Sequence, residues 1–258
     1  MAKHSETGWV LEPKWQHRVH PHYFRRRHGN FEKGELQECD SLVLHWTASP
    51  KDIATLGDYL DREGSDESYH VGIGRAGLAH QFVSCHDTAF HAGDGRLPRL
   101  AELVELERCG GTLPVQAAAR RRSYEANLRT IGVAFCNRGF LTPESAMAAR
   151  ARGTPIYSGR HENPASRRTD WEAYTRAQIV TFEALIPLFK RECPHLRYVL
   201  AHSDVTNAPA LGQQTGSKTD TGPAFPWATF PWAKYQLQPV RFDYKLRAWT
   251  MPNTGAAE

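Results

Sequence analysis

The sequence predicts an α/β domain with a mixed central β-sheet flanked by helices, and three observations predict it. Short runs rich in strand formers recur, S-L-V-L-H-W at 41–46, T-I-G-V-A-F-C at 130–136 and Y-V-L-A at 198–201. Between them, apolar residues repeat at helical spacing over 52–62, 98–107 and 171–191. The alternation continues through about 190 residues, and strands interleaved with helices bury their apolar faces in a sheet covered by helices.

In chain order, residues 1–38 are rich in His, Arg and aromatics without a period, and are read as a basic N-terminal extension. Its stretch from Arg18 to Lys33 is read as solvated surface in preference to a nucleic-acid contact. The domain proper spans 39–235. Its first strand, 41–46, stops at the turn signal Thr47-Ala48-Ser49-Pro50. Ile53, Leu56, Tyr59 and Leu60 then line one side of a helix that ends near Gly64. Residues 69–73 and 79–83 form strands joined by Gly74-Arg75-Ala76-Gly77, whose two glycines accept the positive φ of a hairpin turn. Pro98 opens a helix to Glu107, at a place where no N–H is needed. Gly139 to Asp170 is polar, punctuated by Gly and Pro, and reads as a long loop. The helix after Trp171 buries Ile179, Phe182, Leu185, Ile186 and Phe189 and stops before Pro194. Residues 236–258 are read as a C-terminal tail.

Composition excludes several classes. Apolar residues make up 40% of the 258 and charged residues 23%, and no run approaches the roughly 18 apolar residues of a membrane span. The start, M-A-K-H-S-E-T-G, has no apolar stretch behind its basic residue, so the expected location is cytoplasmic, with release only by lysis or a dedicated secretion system. A net charge of +4 makes nucleic acid an unexpected partner. Five scattered cysteines without a CxxC pair are read as reduced and mostly buried, not as a disulfide framework or zinc knuckle. Gly72-x-Gly74 lacks the helix a nucleotide site needs after it.

The chemistry concentrates at strand ends. His45 closes L-V-L-H, His202 closes Y-V-L-A-H, and Asp220 lies in the loop S-K-T-D-T-G-P. Two imidazoles and a carboxylate suit a catalytic Zn2+ with a fourth position left for water, whose pKa such an ion lowers to about 7. Spacing alone does not single these residues out among 13 histidines, and His20-x-His22 is equally metal-like in the extension.

The surrounding text does. L-V-L-H-W-T-A-S, S-Y-H-V-G-I-G-R-A-G, F-H-A-G, T-I-G-V-A-F-C-N and A-H-S-D-V followed by S-K-T-D-T-G-P-A-F-P-W, in this order over 40–95 and 127–232, closely resemble the zinc-dependent N-acetylmuramoyl-L-alanine amidases. That family includes cell-wall-recycling amidases, phage amidases and peptidoglycan recognition proteins. The resemblance implies that fold, with His45, His202 and Asp220 as zinc ligands. It also implies cleavage between N-acetylmuramic acid and the L-alanine of the stem peptide, in peptidoglycan or muropeptides. Lys218 matches a lysine that stabilises the oxyanion, and Tyr69 a tyrosine beside the reacting water. His91 matches a segment that lines the substrate groove. Asn137 and Arg138 follow the site strand, where an arginine can pair with a stem-peptide carboxylate.

One position departs. Recycling amidases carry a glutamate general base where this chain has Ala134, and Gly132 and Cys136, on the same face, do not restore an acid. Phage-type members lack it too and use the tyrosine and lysine, both present here, so a zinc amidase is the expectation. The alternative is a peptidoglycan-binding or sensing module of the same fold that has lost turnover.

Overall fold

The computed structural model describes residues 9–11, 39–49, 52–60, 67–93, 95, 97–114, 126–164, 166–206, 218–246 and 248–251. The basic stretch 18–33 and the His20-x-His22 pair lie outside the described residues. The described chain forms two compact units that alternate along the sequence, one drawn from residues up to 91, 127–138 and 174–196, the other from 92–126, 139–173 and 197 onward.

The first unit is the mixed sheet with its helices. Its strands are β1 (Ser41–Trp46), β2 (Val71–Ile73), β3 (Ala79–Gln81) and β5 (Thr130–Phe135), and its helices α1 (Ile53–Leu60) and α4 (Arg176–Glu192). They follow the order β3-β2-β5-β1. β5 runs parallel to β1 and to β2, whereas β3 returns antiparallel to β2. β1 and β5 are buried on both faces, as strands covered by helices on both sides must be. Successive residues of β5 make those two faces visible. Ala134 and Cys136 pack with Ile53, Leu56 and Leu60 of α1, while Phe135 meets Phe182 of α4 with ring centroids 5.6 Å apart. This is the architecture the sequence predicts.

Local chemistry fixes each end. Gly77, at φ 84°, supplies the left-handed residue of the hairpin between β2 and β3, and its N–H donates to Gly74 O at 2.9 Å. Thr175 and Gln178 cap α4 reciprocally, side chain to backbone N–H in both directions, a device worth about 1 kcal/mol. The Gln178 amide also donates to Ile73 O (3.2 Å) and Cys136 O (3.1 Å), tying the helix start to the ends of β2 and β5. Beside the hairpin, the N–H groups of Val10 and Leu11 both donate to Gln81 Oε1, at 2.8 and 3.2 Å.

The second unit contains α2 (Leu100–Cys109), β4 (Thr112–Pro114), α3 (Pro143–Ala151), β6 (Ile156–Ser158), β7 (Asp170–Glu172), β8 (Tyr198–Ala201), α5 (His202–Thr206), a 3-10 turn (Trp232–Tyr235), β9 (Gln238–Pro239), β10 (Arg241–Asp243) and β11 (Ala248–Thr250). β8 pairs in parallel with β9, β10-β11-β4 form an antiparallel sheet, and β6 pairs with β7.

Two readings are corrected here. Residues 139–170 are not a long loop: they hold α3 and β6. Thr142 caps α3 through its hydroxyl, which accepts from Ser145 N, and Pro143 occupies the first turn. The helix buries only Ala146 and Ala149, too faint an apolar stripe to stand out from sequence. Residues 238–250 are not tail but three strands, each of two or three residues, with Phe242 and Trp249 buried.

Candidate metal centre

His45 is the fifth residue of β1 and is fully buried. Its Nε2 lies 3.0 Å from Nδ1 of His91, and His91 Nε2 lies 3.3 Å from the Thr130 carbonyl oxygen. The Thr130 hydroxyl lies 3.1 Å from the same nitrogen. With the proton of His91 on Nε2, directed to the carbonyl oxygen, Nδ1 accepts from His45 Nε2, and in that tautomer His45 Nδ1 is the nitrogen that can bind a metal. Room for this chain of rings comes from β5. A Cβ on Gly132 would sit 2.5 Å from His91 Cγ, so glycine there lets the imidazole lie against the strand. Asn127 Oδ1 accepts the His91 N–H at 3.0 Å. His91 is 4% exposed, so its place is behind His45 and not along a groove wall, as the sequence suggests.

Next to it, His70 is also buried. Its Nδ1 accepts from Gly132 N (2.9 Å) and its Nε2 donates to Asp87 O (2.9 Å), which uses both nitrogens in joining β2 to β5. Burial pushes its pKa down to about 4, so it is a neutral structural imidazole.

Tyr69 meets His45 edge-on, ring centroids 5.1 Å apart, and its hydroxyl donates to Glu67 Oε2 at 3.4 Å. Ala134, level with His45 in the strand register, is fully buried in an apolar cluster with Tyr69, Ile53, Leu56, Phe82 and Ala89.

In the second unit, His202 opens α5 directly after β8, and its Nδ1 lies 2.8 Å from Asp220 Oδ2. Donors on one tetrahedral zinc, at bond lengths near 2.0–2.1 Å, stand about 3.3 Å apart, so this pair is close to ligand spacing. Asp204, which the sequence reading passes over inside the H-S-D motif, anchors it. This buried carboxylate accepts from Ala201 N (2.9 Å), Arg241 Nε (2.9 Å) and Phe242 N (3.0 Å), fixing the turn that presents His202. The Asp220 loop is held from its backbone. Ser203 N donates to Asp220 O at 2.7 Å, and His161 Nε2 donates to Thr219 O at 3.1 Å. Asn163 N donates to His161 Nδ1 (2.8 Å), which fixes that tautomer, and burial lowers the His161 pKa. Sequence reading missed His161, whose target lies 58 residues away.

The three expected ligands, His45 in the first unit and His202 and Asp220 in the second, are each buried. Two imidazole nitrogens and a carboxylate oxygen are the donor set of a catalytic zinc, so the residues fit the group. Of the other expected residues, Lys218 is exposed two positions before Asp220, Asn137 is buried at the end of β5 and Arg138 is half-buried after it. All five cysteines are free thiols.

A family model described as N-acetylmuramoyl-L-alanine amidase matches residues 35–223, well over half of the chain. No curated protein matches it. Solved structures with a similar course include the amidase AmiD from E. coli in complex with anhydro-N-acetylmuramic acid-L-Ala-D-gamma-Glu-L-Lys, at 20% identity and a TM-score of 0.47 over 82% of this chain. This chain spans 62% of that AmiD chain. AmpDH3 from Pseudomonas aeruginosa, in complex with anhydromuramic pentapeptide, gives 19% identity and a TM-score of 0.47 over 86% of this chain and 68% of the AmpDH3 chain. By the extent of the family match, the chain belongs to the N-acetylmuramoyl-L-alanine amidase family.

Proposed function

We propose that the chain binds one zinc ion through His45, His202 and Asp220 and hydrolyses the amide bond between N-acetylmuramic acid and L-alanine in peptidoglycan or muropeptides. The observation that carries this reading is the buried His202–Asp220 pair, 2.8 Å apart at the end of β8, in a chain that belongs to the amidase family. A bound zinc would act there as a Lewis acid and lower the pKa of water to about 7.

The side chains of the protein do the rest. The hydrogen-bonded ring of His91 holds His45 in the tautomer that offers Nδ1, and Asp204 and His161 hold His202 and Asp220 in place. Lys218, exposed beside Asp220, supplies a cation for the negative charge that develops on the scissile carbonyl oxygen. Tyr69, edge-on to His45, offers a phenol to the reacting groups. Asn137 and Arg138, leaving β5, contact the stem peptide, with Arg138 suited to one of its carboxylates.

The test is digestion of intact sacculus and of soluble anhydro-muropeptide side by side, with released peptide identified by mass spectrometry. Peptide release that depends on zinc and is lost in His45→Ala and Lys218→Ala is the expected result. Absence of product from both substrates with one zinc per chain would refute the reading and leave the binding-module alternative.

A further inference from the structure

Ala134, packed in an apolar cluster, leaves the site without the strand carboxylate of recycling amidases. A cavity of about 270 Å3 opens beside this position, lined in part by Thr47, Asp52, Glu67, Tyr69 and Cys136. Thr47 lies two residues past His45, and Cys136 two past Ala134 on the same face, so the cavity borders the strand ends that carry His45.

Three of its side chains are candidates to take a proton, and two are unsuited. Asp52 caps α1, accepting from Thr55 N (2.9 Å) and Thr55 Oγ1 (3.0 Å), and these bonds lower its pKa. Burial pushes the Cys136 thiol up to about 12, which makes it neither a ready base nor a nucleophile. Glu67 is half-buried, and its Oε2 receives the Tyr69 hydroxyl at 3.4 Å while the Tyr69 ring abuts His45.

We propose that Glu67, acting through the Tyr69 hydroxyl, is the proton acceptor that replaces the missing strand glutamate. The inference rests on the amidase reading above. As a water oxygen bonds to the scissile carbonyl carbon, the Tyr69 hydroxyl takes a proton from that water and passes its own to Glu67. The carboxyl so formed returns a proton by the same route to the departing nitrogen as the C–N bond breaks. A carboxyl on the lactyl side and an amine on L-alanine result, and Glu67 is again ionised. Glu67 is thus a positioning and proton-holding partner, and Tyr69 is the group that touches the reacting atoms.

The experiment compares wild type, Glu67→Gln, Glu67→Ala and Tyr69→Phe, each loaded with zinc and measured for zinc affinity and for peptide release from soluble anhydro-muropeptide. Glutamine still accepts the tyrosine hydroxyl but takes no proton, so a kcat loss of roughly 10²–10⁴ with unchanged KM and zinc affinity is expected. Added formate restores part of the activity of Glu67→Ala, a readout that a structural role would not move. The Glu67→Gln, Tyr69→Phe double variant is no worse than the poorer single variant. A Glu67→Gln kcat within about threefold of wild type, or a loss matched by weakened zinc binding, overturns the inference while the amidase reading stands. A zinc-loaded wild type that releases no peptide overturns both.

Discussion

Replacing Gly132 by alanine tests the support behind the proposed metal ligand His45 with a single methyl group. The added Cβ would stand 2.5 Å from His91 Cγ, 2.6 Å from Cδ2 and 3.0 Å from Cβ. Ordinary carbon contacts begin near 3.5 Å, so the imidazole must retreat by about 1 Å in a close-packed interior. Its Nδ1 is 3.0 Å from His45 Nε2, and a retreat of that size carries the pair beyond the roughly 2.7–3.2 Å of a hydrogen bond. Removing the outer partner of a ligating histidine typically costs 10–100-fold in metal affinity, about 1.4–2.7 kcal/mol, and the overpacking itself costs about 1–3 kcal/mol of stability. The assay is competition for zinc against a chromophoric chelator, with urea denaturation of the metal-free protein in parallel. His91→Ala should weaken zinc binding to a similar degree, and adding Gly132→Ala to it should weaken binding no further, because the ring that clashes is gone. An alanine variant that folds normally and binds zinc as tightly as wild type would show that the His45–His91 bond does nothing for the metal.

Two further outcomes follow from buried polar groups. Asp204→Ala leaves the Arg241 guanidinium, Ala201 N and Phe242 N without their shared acceptor, and breaking a buried pair of this kind costs about 3–5 kcal/mol, measurable by denaturant unfolding. His70 carries the pH dependence: its folded pKa of about 4 lies below the ordinary value of 6.5, so the unfolded chain binds a proton first as pH falls. The stability it contributes is complete above pH 6.5 and is lost progressively toward pH 4, about 3 kcal/mol in all. Stability measured across that window should change less steeply in His70→Gln, and an equal slope in the two proteins removes His70 as the cause.

The strands were legible because they are buried on both faces and read as unbroken apolar runs: 41–46 and 198–201 match the structure residue for residue. Helix α4 was legible too, but its start was placed at 171 instead of Arg176, since Asp170–Glu172 pairs with β6 and the reciprocal cap at Thr175 and Gln178 went unread. Elements that bury one or two side chains each, such as α3 and β9 to β11, gave no periodicity to detect. The residues proposed as metal ligands stood out by the text around them, because each closes a strand or sits in a distinctive loop. Their supports were not. His91 is 46 residues from His45 and Asp204 is 37 from Arg241, and pairings at such separations are decided by topology, which a local pattern does not encode. Glu67 was passed over because its significance depends on Tyr69 and on the apolar packing of Ala134, neither visible before the chain is folded.

The two backbone N–H groups that converge on Gln81 bear on where this protein can be cut. β3 is the outermost strand on its side of the first unit's sheet, and residues 9–11 lie over its last residue. A shortened version beginning at residue 39, the boundary that composition alone suggests, would take both donors away from the buried Gln81 amide oxygen, a loss of the kind that costs about 1–3 kcal/mol. Anyone trimming the molecule for crystallisation or delivery should keep the segment around Val10, which satisfies that buried oxygen from about 70 residues away in sequence.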